Sequence, residues 1–550
     1  MRDIFLKGWR PYAWIAVIIA LVYSKAIWYG FTYLDDNILI LGNMNFLRDI
    51  SNSWDSFFLK VFPRSYLPYY RPLLTISLIL DAQLSGASPV SYHASNIIFH
   101  FAATCLLFTF LGRMGYRRDI SFLFSMIFAV HPVLSQGVAW IAGRNDTLLA
   151  VFILSSFIFF MDYIKDGAAS RYMAHMVFFM LALFTKETAL ITAPMCLFYM
   201  HAISGERLFS RHEKALAAGW LVVIFLWSFM RSGAVEGSKS MNYYEMGSLI
   251  FAYLPAAVQF LGKVFFPFNL SVFPIIRDTA FIYGAVAIFF LVFSLAATKR
   301  RRDNYVIFGL LWMALFMAPS LIRANTRLVA DFLEHRVYVP VIGCIIVLCE
   351  TDAIRRLSER KTAMWASAAA VIALFASITF IHIDNFKDQF SFWRNAAKTA
   401  SHSSFSHLAL AVAYHDAGME DAAMEEYRKC LALDPMDPSA LYGIGNIYMR
   451  RGMLDDAEKQ FKKAKAAYPA YDNAYMALGV VRYRKGDLRG AERMWNKAIA
   501  TDPRNISAYR NLAIYYGERK DFTKAAICAR QLQRLGAYVP EDFLKYIEMK

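Results

Sequence analysis

FTYLDDNILILGNMNFLRD, residues 31–49, decides how the chain is read, because it sets two adjacent carboxylates, Asp35 and Asp36, directly behind an apolar run. That run, residues 12–30, has about the length a helix needs to cross a bilayer. If it crosses, the acidic pair lies at a membrane surface, and every later segment must be sorted by the side it occupies. The stretch from the pair to residue 91 is too long for a mere connection. Within it, NFLRDISNSWDSFFLKVF (45–62) predicts an amphipathic helix lying in the membrane surface.

Composition agrees with a membrane protein. The 550 residues are 57% hydrophobic, 16% aromatic and only 19% charged, outside ordinary globular usage. Apolar runs recur as far as residue 382 and then stop. Expected helices fall near 12–30, 92–112, 120–140, 147–164, 172–185, 188–203, 214–230, 279–297, 304–321, 337–350 and 362–382. The net charge of +16 sits largely in short loops: Arg113, Arg117 and Arg118; Arg207, Arg211 and Lys214; Lys299 through Arg302; Arg355, Arg356, Arg360 and Lys361. The positive-inside bias makes these loops cytoplasmic, which explains the charge without nucleic acid as a partner. The N-terminus, MRDIFLKGWRPY, is a basic flank without a cleavage-like small-residue motif and reads as a retained signal anchor. About eleven spans then reconcile every loop and put the C-terminal part outside. The segment 249–274, interrupted by Pro255, Lys263, Pro267 and Pro274, reads as a re-entrant or interfacial hairpin rather than a span. The outer loops are then 31–91, 143–147, 185–188, 231–278 and 322–336.

Past a linker at 383–403, residues 404–550 repeat with a step of 34. Tyr414, Tyr448, Arg482 and Tyr516 share one register; Ala423, Ala457, Ala491 and Ala525 share another; Pro435, Pro469 and Pro503 close the first three units. That step is the tetratricopeptide period, with units near 404–437, 438–471, 472–505 and 506–539. Ala411, Gly445, Gly479 and Ala513 are the small residues that let the two helices of each unit approach. The fold class is therefore all-α, a polytopic domain over 1–382 followed by a repeat solenoid. Helix-A positions Tyr442, Asn446, Arg450, Tyr483 and Arg484 are expected to line its concave face and hold an extended polypeptide.

Ionisable groups at membrane depth are costly and mark function. Here they gather at the expected outer ends of helices: Arg71 in YYRPLL, His93 in SYHASN, His131 before Pro132, Arg144 and Asp146 in AGRNDT, Lys186 and Glu187 in FTKET, and Glu334, His335 and Arg336 in EHRVYVP. Several cations with carboxylates on one face suit an anionic, membrane-embedded substrate, since Arg offers phosphate a bidentate fork and Lys a point charge. A carboxylate base beside phosphate-binding cations suggests transfer from a lipid-phosphate-linked sugar. The carboxylate takes the acceptor's proton and the cations stabilise the leaving phosphate. Such a donor carries its own energy, so no cofactor is required; whether a divalent metal assists is left open. The chain has no P-loop, GxGxxG or kinase signature and no CxxC among its six cysteines.

YRPLLTISLILDAQLSGASPVSYHASNIIFH, HPVLSQGVAWIAGRNDTLLA and FTKETALIT, in that order after the acidic pair and before the repeats, resemble the transmembrane and tetratricopeptide-repeat-containing O-mannosyltransferases, of the GT-C class. The resemblance implies inverting transfer of mannose from a polyprenyl-phosphate donor to Ser or Thr of a protein. It also implies Asp35 as base with Asp36 beside it, and Arg71, Arg144, Lys186, Arg336 and His335 as contacts to the donor phosphate. Glu187 is expected to orient Lys186, with Asp146, His93 and His131 in support. The expected setting is a prokaryotic plasma membrane with the repeats outside the cytoplasm, or an endoplasmic reticulum membrane with the repeats lumenal. A lipid or polysaccharide acceptor, a membrane-anchored scaffold and a transporter remain the rival readings at this point.

Overall fold

The computed structural model describes residues 6–59, 69–235, 243–322 and 332–548. It divides into two units, Met1–Ala400 and Ser401–Lys550, and the described residues of both are helical, with no strand.

Among the described residues of the first unit, six helices are long and apolar enough to cross a membrane: Arg10–Trp28, Val90–Arg113, Ile141–Asp166, Arg211–Ala234, Asp303–Leu321 and Lys361–Phe386. Arg118–Ala129 and Pro132–Ala139 add a seventh if taken together, although they are bent by 53°. The expected single helix over 120–140 breaks there because Pro132 lacks an N–H and forces His131 out of the helical region. The expected count of about eleven is thus not reproduced by length and composition. Ala169–Thr185, Phe281–Ala296 and Pro340–Cys349 are shorter apolar helices. The expected helix over 188–203 is a succession of 3₁₀, α and π turns, Glu187–Ile191, Thr192–Phe198 and Tyr199–Ile203.

Three further expectations change. The loop 31–91 contains an apolar helix, Pro72–Ser85, that buries Leu74, Leu78, Ile79 and Asp81. In place of one surface helix over 45–62 there are two short turns, Met44–Leu47 and Asn52–Asp55; residues 60–68, like 323–331 of the loop 322–336, lie outside the described residues. The expected linker 383–403 is largely folded into the first unit as Ile383–Phe386 and Gln389–Thr399, where Trp393 packs on Phe273 and Phe392 on Trp140. Within 249–274 the end of a helix Tyr243–Ala252 is followed by a 12-residue helix, Leu254–Phe265, too short to cross. The irregular run that follows it buries Leu270, Val272 and Phe273. Non-helical backbone at membrane depth needs such protein cover.

Glycines set two helix crossings. A Cβ on Gly309 would meet Gly343 O at 2.8 Å, and one on Gly284 would meet Val258 O at 2.2 Å, so backbones touch where membrane helices favour small residues. The basic loops meet at one end: Arg113 pairs with Asp162 at 3.2 Å. Arg117 Nη1 donates to Ser358 Oγ at 3.2 Å and Tyr116 to Glu350 at 2.9 Å. Arg118 Nε donates to Leu6 O at 2.6 Å, which brings Leu6, ahead of the first span, to the same end. Followed along their helices from there, the chain reaches Asp35, Arg144 and Lys186 at the opposite end.

The second unit is four antiparallel helix pairs, Ser404–Asp416 with Glu420–Leu433, Pro438–Arg450 with Leu454–Ala467, Asp472–Arg484 with Leu488–Thr501, and Ile506–Glu518 with Phe522–Arg534, followed by Glu541–Glu548. The small residues act as sockets. A Cβ on Gly445 would lie 2.4 Å from the Phe461 ring, and one on Gly479 2.3 Å from Trp495. Each pair turns through a left-handed residue, Gly418, Gly452, Gly486 or Lys520, the last of them where L side chains are disfavoured.

Candidate active site

The loop behind the first span is folded by its own acidic pair. Asp36 is buried, and its Oδ2 accepts Thr32 N at 2.7 Å and Thr32 Oγ1 at 2.8 Å. Trp140 Nε1 in turn donates to Thr32 Oγ1 at 3.1 Å, His93 Nε2 lies 3.4 Å from Gly30 O, and Gly30 N donates to Lys387 O at 2.8 Å. Tyr33, between these anchors, has φ +57, a conformation a bulky residue holds only where its surroundings fix it. The two carboxylates therefore divide the work. Asp36, expected beside the base, is turned inward as the tie that shapes the loop, and Asp35 is presented at a cavity.

That cavity, about 60 Å³, is lined by Asp35, Ile38, Leu39, Tyr69, Arg71, Leu74, Ala142 and Asn145. Burial, reinforced by the neighbouring Asp36 charge, raises the Asp35 carboxyl to about 6, with Arg336 and Arg71 pulling the other way. Arg71 stacks 4.3 Å over the Tyr69 ring and reaches Glu187 Oε1 at 3.1 Å, leaving its buried Nε without a protein partner. Lys186 Nζ lies 2.7 Å from Asp146 Oδ1, and His335 Nε2 3.8 Å from Asp146 Oδ2. Glu187 therefore orients Arg71 rather than Lys186, and Asp146 holds Lys186. Arg336 Nη1 donates to Ser320 O at 3.0 Å. Lys186 lies within electrostatic reach of Arg71 and Arg336, and His335 within reach of all three.

Two expected members stand elsewhere. Arg144 is fully buried, and all five of its donors are taken: Nε by Asn96 Oδ1 at 2.8 Å, Nη1 by Asp81 at 2.6 Å and Ser77 Oγ at 3.1 Å, Nη2 by Tyr92 O and Ser95 Oγ at 2.8 Å. It clamps three helices together and has no donor left for a phosphate. His131 accepts Val133 N at its break and has Nε2 2.9 Å from Val264 O, lining an apolar cavity with Phe128 and Phe375. It fixes the bend instead of supporting the site.

Residues to which the sequence assigned no role complete the frame. Gln136 accepts His335 N at 2.9 Å and donates to Val272 O at 2.8 Å. Glu334, wholly buried, accepts Lys263 Nζ at 2.6 Å and Ser271 N at 2.7 Å, so the irregular segment after Leu254–Phe265 anchors the turn that carries His335 and Arg336. Asp81 and Lys263 each stand alone in an apolar run, a signal that charges there have partners. Among the described residues no group of three or more His, Cys, Asp or Glu is arranged to hold a metal ion.

On the repeat face, Tyr483 bonds Glu518, Arg484 Nη1 donates to Met449 O at 3.2 Å and Arg450 lies 3.8 Å from Glu420. Tyr442 packs between Phe461 and Tyr471, while Asn446 is half-buried. Four of the five expected acceptor contacts thus also brace neighbouring helices.

Fold and site together define an integral membrane protein of many helices, with an acid–cation cavity at one end of its helices, continued by a tetratricopeptide solenoid. The tetratricopeptide-repeat family matches residues 411–452, 438–471 and 476–540. The chain is 25% identical to human protein O-mannosyl-transferase TMTC1 over 69% of its length and 49% of the relative's. To the mouse protein of the same name it is 23% identical, over 69% of the chain and 53% of the relative. To a Caenorhabditis elegans protein O-mannosyl-transferase it is 24% identical, over 66% and 54%. The chain thus resembles the transmembrane and tetratricopeptide-repeat O-mannosyltransferases, as its ordered sequence blocks do, and spans about half the length of the curated relatives it matches.

Proposed function

We propose that the chain is a membrane glycosyltransferase that moves mannose from a polyprenyl-phosphate donor to a Ser or Thr hydroxyl of a polypeptide. The observation that carries this reading is Asp35, a carboxylate raised to about 6 at a cavity it shares with Arg71. The acceptor hydroxyl loses its proton to Asp35 as its oxygen forms a bond to the anomeric carbon. The bond from that carbon to the donor phosphate breaks on the far side, and inversion follows from this geometry. The electron pair leaves with the phosphate, whose charge Arg71, Lys186 and Arg336 stabilise. The repeats would hold the acceptor on the same side of the membrane as Asp35, outside the cytoplasm, in a prokaryotic plasma membrane. Mass spectrometry of exported proteins with and without the gene tests this: a hexose is expected to vanish from specific Ser or Thr sites, and an unchanged glycoproteome would overturn it.

Arg336 tests the phosphate side alone. Arg336→Ala is expected to weaken donor binding by about 10-fold or more, the size of a lost charge-assisted hydrogen bond. Isothermal titration with polyprenyl-phosphate mannose reads this; a lowered turnover with unchanged donor affinity would contradict the assignment.

A further inference from the structure

The tripeptide Arg144-Asn145-Asp146 sends three polar side chains in three directions. Arg144 is locked into the helix packing, which fixes the first turn of the helix Arg144–Asp166. Asp146 turns to Lys186. Asn145 faces the cavity shared by Asp35 and Arg71. Its Nδ2 points to Ala142 O at 3.5 Å, and its Oδ1 is buried with no hydrogen-bond partner. A buried carbonyl oxygen without a donor is costly unless a ligand or water supplies one.

The identity of the orphan restricts what can satisfy it. A carbonyl oxygen only accepts, so a phosphate oxygen placed there would be repelled, whereas a hydroxyl would bond. The cavity therefore has two chemistries: an anion-binding side at Arg71, joined to Lys186 and Arg336, and a hydroxyl-binding side at Asn145, with the Asp35 carboxylate lining the same cavity. The Tyr69 ring also lines the cavity, with the Arg71 guanidinium stacked 4.3 Å over it.

We propose that Asn145 Oδ1 accepts a hydrogen bond from a ring hydroxyl of the donor sugar, and that Asn145 is a specificity-determining residue of this site. The proposal rests on the glycosyl-transfer reading above and names the part of the donor that each wall of the cavity reads. Sites built to hydrogen-bond a substrate hydroxyl reject the analogue that lacks it, because their own polar group is then left unpaired.

The test uses the full-length protein in lipid nanodiscs, an acceptor peptide, and polyprenyl-phosphate mannose with its four monodeoxy versions. The wild type is expected to lose about 10-fold or more in kcat/KM on one deoxy donor. Asn145→Ala and Asn145→Ser are expected to lose a similar factor on mannose and to show no further loss on that same deoxy donor, while discriminating the other three as the wild type does. Two variants are used so that one that does not fold leaves the other to decide, with the thermal midpoint as the check. A folded variant that still discriminates all four deoxy donors as the wild type does would overturn the role of Asn145, its oxygen then being met by water alone. Absence of transfer by the wild type from every hexosyl donor would instead overturn the transfer reading itself, and this proposal with it.

Discussion

Asp35→Asn is expected to lower transfer by about 10²–10⁴-fold, the contribution of a positioned general base, while donor affinity stays at the wild-type value. The amide keeps the shape of the cavity wall and loses only the proton acceptor. The neighbouring change is expected to behave differently. Asp36→Asn retains an oxygen for Thr32 N and Oγ1, so its effect on turnover is much smaller and falls on the order of the loop. The pH profile supplies a second reading. Asp35 acts only as the carboxylate, and burial next to Asp36 raises it to about 6. kcat/KM should therefore be flat above that pH and fall tenfold per unit below it, as the free protein's base becomes protonated. Residual transfer by Asp35→Asn should lack this acid limb. Full turnover in that variant, or an unchanged limb, removes Asp35 from the mechanism.

What the sequence disclosed and what it hid follow from range. The 34-residue step of the repeats is a local pattern, and Gly445 and Gly479 turn out to be the sockets for Phe461 and Trp495 that close packing requires. Asp35, Arg71, Lys186 and Arg336 were visible because isolated charges near helix ends are rare in an apolar chain; the structure brings Asp35 and Arg71 to one cavity, with Arg336 within electrostatic reach of Asp35 and Lys186 within reach of Arg71. Partnership was not visible, because it depends on which helices meet. Glu187 follows Lys186 in the chain yet pairs with Arg71, and Lys186 pairs with Asp146, 40 residues away. The helix Pro72–Ser85 was hidden for a related reason. Its 14 residues fall short of a span, so a length criterion assigns them to a loop, although their burial makes them part of the helical core. The broken run 187–203 shows the reverse error, since continuous hydropathy carries no information about 3₁₀ and π turns.

Arg144→Met is expected to destabilise the first unit by about 3–5 kcal/mol, the usual effect of removing one partner of a buried ion pair. The loss leaves the Asp81 carboxylate in an apolar helix with only Ser95 Oγ, at 2.9 Å, as a donor, and deprives Asn96 Oδ1 of the guanidinium N–H it accepts. The double change Arg144→Met, Asp81→Leu should recover much of that loss, because an ion pair replaced by apolar groups of similar volume no longer leaves a stranded charge. Thermal unfolding of the full-length protein in detergent measures both. The outcome separates two roles for the same guanidinium. A contact to the donor phosphate would leave folding intact, reduce donor affinity, and gain nothing from the second substitution. A clamp lowers the midpoint in the single variant and restores it in the double one. The structure favours the clamp for a reason independent of any ligand: a guanidinium with five donors already satisfied by the protein would have to break several of them to reach a phosphate, at the expense of the buried Asp81 carboxylate and Asn96 Oδ1.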